Sequence, residues 1–220
     1  MDDKVDVNRD MVSYYRDRAG EYDKNSFSRP EIQFDLQATS KILQEVFDGK
    51  GVLEIAAGTG YWTEKIAATA KSILATDINK SVLDVARMKQ YPKGNVNFRV
   101  ADMYALDDVF PYDALFGGFI FSHILKEDWN KFIETIHRRV APGGTVVLMD
   151  NNRKINPNRD RTDEQGNNYR MRTLEDGSKH EIVKNYPTES ELRELIGNRS
   201  KDIDFKNLEY YWILIYQTSV

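Results

Sequence analysis

The 220-residue chain has no cysteine. That absence excludes a disulfide framework, a thiolate zinc site and a cysteine nucleophile. Histidine is scarce: only His123, His137 and His180 occur, and no two lie four apart. The spacing of a helical histidine metal site is therefore missing, and no metal is expected. No apolar run approaches the roughly 18–20 residues of a membrane span. The opening Met1-Asp2-Asp3-Lys4 lacks the apolar stretch of a secretory signal. Positive charge is not in excess: 31 basic and 35 acidic residues leave a formal net charge of −4. Nucleic-acid binders carry a basic footprint, so such a partner is not expected. The expectation is a cytoplasmic chain, a monomer or homodimer, with no membrane partner.

Against these absences stands a regular alternation. Short apolar runs at 52–56, 72–77, 96–100, 114–121 and 145–150 predict strands, and residues 59–70, 79–90 and 126–140 between them predict helices. That order predicts a largely parallel sheet covered on both faces. Two helices precede it, over 8–24 and 30–48, the second opened by Pro30 and closed by Gly49-Lys50-Gly51. After Asn151 the pattern changes. Residues 168–185 read as a hairpin around Glu175-Asp176-Gly177-Ser178, and Thr188-Glu189-Ser190-Glu191 is a capping box opening a helix to Ile196. Residues 203–218 alternate like antiparallel strands. The expected organisation is one domain over 1–220, with an arm or lid at 1–48, a core at 49–150, a hairpin insertion at 151–187 covering the substrate, and a terminal helix and strands at 188–220.

Three acids fall at the ends of successive strands. Glu54 lies in Val52-Leu53-Glu54-Ile55-Ala56-Ala57-Gly58-Thr59-Gly60-Tyr61-Trp62-Thr63, where a strand runs through a small-residue turn into a helix. Glycines there allow close backbone approach, and the helix start offers free N–H groups. A carboxylate inside the strand needs a partner, which a ligand ammonium would supply. Asp77 ends the second strand, 17 residues after Gly60. It could bind ribose hydroxyls or cap the helix that follows. Asp102 ends the third strand, beside Met103, and could meet an adenine ring or simply face solvent. Open α/β sheets bind ligands along this edge.

This ensemble resembles the class I S-adenosylmethionine-dependent methyltransferases, of the small-molecule or natural-product type with an N-terminal helical arm. The likeness covers roughly residues 10–150 and the terminal strands. It implies a Rossmann-like fold with a seven-stranded mixed sheet, flanking helices and a hairpin insertion after strand five. S-adenosylmethionine is then the cofactor and S-adenosylhomocysteine the product. By resemblance Glu54 takes the methionine ammonium, Gly58 and Gly60 approach the methionine part, and Asp77 holds the ribose. Ala56, Thr63, Ile78, Asp102, Met103, Phe119 and Tyr22 complete the implied cofactor contacts. Ala56 stands where the family's glycine-rich motif has its first glycine. A nicotinamide fingerprint would need glycine at position 63, where this chain has Thr63.

The acceptor is less legible. Residues 116–124 form the catalytic neighbourhood by resemblance, and His123 is the candidate base or hydrogen-bond donor. It could equally order the turn. Tyr14, Arg18 and Tyr22 share one helical face at i, i+4 and i+8 and suggest a lid, or a packing stripe. His123 and Tyr14 are the candidate catalytic residues. Residues 153–172 hold six basic residues against three acidic ones, a patch suited to an acidic substrate or merely solvated. Tyr14, Arg18, His123, Asn151, Arg159 and Arg161 are the candidate substrate contacts. The expected reaction is O-methylation of a hydroxyl or carboxylate on a metabolite or peptide natural product. The alternatives are N-methylation of a small amine and a non-catalytic S-adenosylmethionine-binding partner subunit.

Overall fold

The computed structural model describes residues 11–18, 20, 22–91, 93–155, 161–174 and 176–219. A seven-stranded sheet organises the chain, in the order β3-β2-β1-β4-β5-β10-β9. Its parallel strands are β1 (Gly51–Ile55), β2 (Ser72–Asp77), β3 (Val96–Val100), β4 (Tyr112–Gly118) and β5 (Val140–Asn151). The last strand, β10 (Tyr211–Thr218), runs antiparallel between β5 and the edge strand β9 (Ser200–Asn207). This is the mixed sheet that the strand pattern and the family resemblance imply.

Two apolar cores flank the sheet, and strand alternation assigns residues to them. Val52 packs with α3 (Gln33–Phe47) and α4 (Tyr61–Ile66) on one face. Leu53 and Ile55 pack with α6 (Trp129–His137) and α7 (Glu189–Ile196) on the other. The period of two puts Glu54 on the Val52 face, under the N-terminal arm.

The arm departs from the sequence expectation. A single helix over 8–24 was the reading of its pattern. Instead residues 11–17 form helix α1, Arg18 and Gly20 are in turns, and α2 (Tyr22–Phe27) starts afresh. Gly20 sits at that break, and glycine is a poor helix former. Helix α4 ends at Ile66 rather than 70, and α5 (Lys80–Arg87) ends before residue 90, the end its sequence predicts.

The insertion forms a second, antiparallel sheet of β6 (Arg161–Thr162), β7 (Asn168–Thr173) and β8 (Lys179–Val183). It docks on the core through buried polar contacts. Asn185 donates from its backbone to Ser122 O (2.7 Å) and from its side chain to Ile124 O (3.0 Å). The buried Lys184 ammonium donates to Ser122 Oγ (2.7 Å) and to Asp150 Oδ1 (3.1 Å). The Thr188 capping box of α7 is present as its motif requires.

Candidate active site

A cleft opens over the C-terminal ends of β1, β2 and β4. It encloses about 850 Å³, counting the space open to solvent. The turn after β1 forms one wall. Ala56, Gly58 and Gly60 all take positive φ there, at 51°, 57° and 77°. Gly58 faces open space, whereas a Cβ at Gly60 would lie 2.9 Å from Ala86 Cβ and 2.8 Å from the Tyr91 hydroxyl. Gly60 therefore serves packing of the turn on α5 and does not reach the cleft wall. Ala56 does line the cleft, in a backbone conformation that costs a non-glycine residue about 1–2 kcal/mol.

Glu54 is the polar centre of this wall. It is 2% exposed, and its Oε2 has no hydrogen-bond partner among the described residues. Burial pushes its pKa to about 8. An unsatisfied buried carboxyl group is costly, and a ligand cation would compensate it as the carboxylate. Asp77 behaves differently: it accepts from Gly58 N–H (2.9 Å) and Asn79 N–H (2.8 Å). Burial raises its pKa against the pull of those amides. Asn79 is the N-cap residue of α5, so Asp77 both ties the turn together and orders the next helix start. The cleft continues past half-exposed Ile78 to Asp102 and Met103. Asp102 is exposed and accepts from Tyr104 N–H at 2.9 Å.

A second, polar pocket lies behind this cleft. Arg18, Arg29, Asn151, Arg172 and Lys184 contribute its polar lining, with Tyr14 beside them. Tyr15, Phe27 and Phe119 line both spaces and form the partition. Phe119 holds φ at 59°, strained for a bulky residue. Its N–H donates to Met149 O (2.8 Å), and its ring tilts against Tyr211 and Phe27.

His123 joins three segments at the cleft. Its Nδ1 is 2.7 Å from Val183 O, which can only accept, so Nδ1 carries the proton. Nε2 then accepts from the Tyr15 hydroxyl at 2.7 Å. Burial, then the Lys184 charge, press its pKa down to about 3. The ring is thus held neutral in one tautomer.

The structure brings Glu54, Ala56, Gly58, Asp77, Ile78, Asp102, Met103, Phe119 and His123 to the continuous cleft, and Tyr14, Arg18 and Asn151 to the polar pocket. Thr63 is fully buried outside the walls. Arg161 is not at either space: its guanidinium stacks 3.6 Å from the Tyr169 ring centroid and donates to both Glu181 oxygens, at 2.8 and 2.6 Å. Those partners satisfy it inside the hairpin. Arg159 and the Tyr22 side chain lie outside the described residues. Tyr15, Arg29, Arg172 and Lys184 were not singled out from sequence. Arg172 lies within the basic stretch that drew attention to the insertion, the one signal that pointed toward them.

Residues 52–144 match a family described as a methyltransferase domain. A solved structure titled DhpI-SAH complex is 28% identical and superposes with a TM-score of 0.78 over 97% of this chain and 98% of that one. The chain thus carries a methyltransferase-domain match, and its fold is that of the class I S-adenosylmethionine-dependent methyltransferases. Among the curated relatives, phosphoethanolamine N-methyltransferase 1 of Zea mays is 24% identical over 70% of this chain. A ubiquinone/menaquinone C-methyltransferase of Pectobacterium carotovorum is 32% identical over 47% of this chain and 43% of its own length. The present chain spans about a third of the maize protein, 34% of its length. The relatives thus agree on methyl transfer and differ in the atom methylated. The unsatisfied Glu54 oxygen and the apolar rim of Ile78 and Met103 fit a cofactor with a cationic amino-acid end and a flat aromatic end.

Proposed function

We propose that this methyltransferase transfers a methyl group to an oxygen of a small anionic acceptor, a carboxylic or phosphorus oxyacid. The observation that carries this reading is the polar pocket lined by Arg18, Arg29, Arg172 and Lys184, where Glu31 engages Arg29 and Asp150 engages Lys184 but positive charge stays in excess, with Tyr15, Phe27 and Phe119 between it and the cofactor cleft. When bound, S-adenosylmethionine supplies an electrophilic methyl on a sulfonium. Glu54 would hold its ammonium, Asp77 its ribose hydroxyls, and Ile78 with Met103 its adenine.

The remaining work falls to residues of this chain. Arginines bind oxyanions through paired donors and hold them in a fixed orientation. Orientation of the attacking oxygen supplies much of the rate enhancement in such a displacement. An oxyanion brings its own lone pair and needs no proton removed. That matches His123, which is too weakly basic at a pKa of about 3 to serve as a general base near neutrality. Its part is to fix the Tyr15 hydroxyl at the partition.

One specific observation favours a second reading, N-methylation. The maize relative is named for phosphoethanolamine, whose phosphate would suit the same cations. An ammonium acceptor must first lose a proton, however, and His123, the imidazole at the cleft, is too weakly basic to take it. The test is an acceptor panel with labelled S-adenosylmethionine, covering carboxylic acids, phosphorus oxyacids, phenols and amines including phosphoethanolamine. Label in methyl esters of carboxylic or phosphorus oxyacids is expected. Turnover confined to neutral phenols or to amine nitrogens would overturn the O-methylation reading.

A further inference from the structure

The arm carries a polar contact that no part of the methyl-transfer chemistry uses. Asp23, in the first turn of α2, accepts from the Thr59 hydroxyl through one oxygen. Its other oxygen takes the Lys89 ammonium at 2.6 Å. Thr59 is the residue between Gly58 and Gly60, at the centre of the turn that walls the cofactor cleft, and is 2% exposed. Lys89 follows α5, the helix on which Gly60 packs, and its ammonium also lies 5.8 Å from the Tyr61 ring centroid. Asp23 therefore touches the glycine turn and the helix behind it together.

Helix α2 has only six residues, far below the length at which a helix holds itself together in water. It depends on anchors. At its C-terminal end Phe27 stacks on Tyr61 at 3.8 Å and packs on Trp62 and Phe119. Among the described contacts, Asp23 is the polar anchor at the other end. Two anchors define an axis; one leaves a pivot. The ring so fixed, Phe27, belongs to the partition between cleft and polar pocket.

We infer that Asp23 is a positioning residue for the cofactor: it pins α2 to Thr59 and Lys89, holding the glycine turn and the Phe27 wall in register. Asp23 does not line the cleft, so it acts through Thr59 and Phe27 rather than by contact with the ligand. The inference rests on the reading that S-adenosylmethionine fills this cleft, yet the pin itself exists without ligand and can be tested without it.

The experiment combines amide hydrogen exchange of the ligand-free protein with calorimetric titration by S-adenosylhomocysteine. The parent, Asp23→Ala, Thr59→Val and Thr59→Ser are compared, each checked for a cooperative melt. Asp23→Ala and Thr59→Val are expected to speed exchange across 22–27 and 57–61 about tenfold and to weaken binding about tenfold. Thr59→Ser keeps the hydroxyl and is expected to restore both. Unchanged exchange in Asp23→Ala would overturn the pin whatever the ligand result. Faster exchange with unaltered affinity would overturn the link to the cofactor. Failure of the parent itself to bind S-adenosylhomocysteine, with exchange altered, would overturn the cofactor reading and the positioning role while the pin stood.

Discussion

Tyr15 and His123, 108 positions apart, meet through a 2.7 Å hydrogen bond in which the phenol donates to an imidazole that cannot rotate its proton away from Val183. The arm, the exit of β4 and the hairpin insertion are thereby locked around one neutral ring. Tyr15→Phe removes the donor to Nε2 and should cost about 1–3 kcal/mol, the desolvation penalty of a buried acceptor left unpaired. Urea unfolding of the two proteins measures it. Equal midpoints would show that the bond contributes nothing.

The same ring gives stability a pH dependence. The His123 pKa falls from its ordinary 6.5 to about 3 on folding. The unfolded chain thus binds a proton that the folded chain refuses. The stabilisation is intact above pH about 6.5 and is lost progressively as pH falls toward 3, at up to about 1.4 kcal/mol per unit. His137, half-buried against Tyr216 and lowered to about 4 by burial and then by Arg199, acts in the same direction. His123→Gln should flatten, without abolishing, the decline in urea midpoint between pH 6.5 and 5. A variant slope equal to the parent's would remove His123 from this account.

Glu54 works in the opposite direction. Its pKa rises from 4.5 to about 8 through burial, so its contribution is full below pH 4.5 and is lost as pH climbs toward 8. A ligand ammonium needs the carboxylate, so binding must expel that proton. S-adenosylhomocysteine affinity should therefore strengthen as pH rises from 6 to 8, by up to tenfold per unit. Glu54→Gln should bind more weakly at pH 8 and lose most of this dependence in calorimetry. Identical pH profiles would place the ammonium elsewhere.

Much of the architecture was legible because it rests on local rules. Five short apolar runs, the turn chemistry at Gly58 and Gly60, and the Thr188 capping box each declare themselves within a dozen residues. Glu54, Asp77 and Asp102 were readable as a set because parallel strands deliver their ends to one edge. The polar pocket was not readable in that way. Arg18, Arg29, Lys184 and Asn151 come from the arm, β8's end and β5's end, with no shared period. The arm also misled. A continuous helix would put Tyr14, Arg18 and Tyr22 on one face, but the turns at Arg18 and Gly20 break that face. One helical step of about 100° then separates buried Tyr14, which accepts from Arg18 at 3.0 Å, from Tyr15, which reaches His123.

Ala56 offers a test of strain. Its φ of 51° costs an alanine about 1–2 kcal/mol relative to glycine. Glycine loses about 0.4–1 kcal/mol of that advantage through the freer unfolded chain. Ala56→Gly should therefore raise stability by up to roughly 1 kcal/mol, seen as a higher urea midpoint. A lower midpoint would mean that the Ala56 methyl packs to greater effect than its backbone strains.

The acceptor reading separates two arginines of one hairpin. Arg172, on β7, lines the polar pocket, and its Nε is buried without a hydrogen-bond partner. Arg161, on β6, is already engaged by Glu181 and Tyr169. A charge-assisted bond to an oxyanion contributes about 1.5–3 kcal/mol. Arg172→Gln should accordingly raise the KM for an acidic acceptor roughly tenfold to a hundredfold. Arg161→Gln should leave that KM within about twofold, because the charge removed faces Glu181 on the exposed side of the hairpin and any cost falls on hairpin stability, where surface ion pairs contribute about 0–1 kcal/mol. Steady-state kinetics on both variants decide between the two. A larger KM effect at Arg161 than at Arg172 would move the acceptor out of the polar pocket and onto the outer face of the insertion.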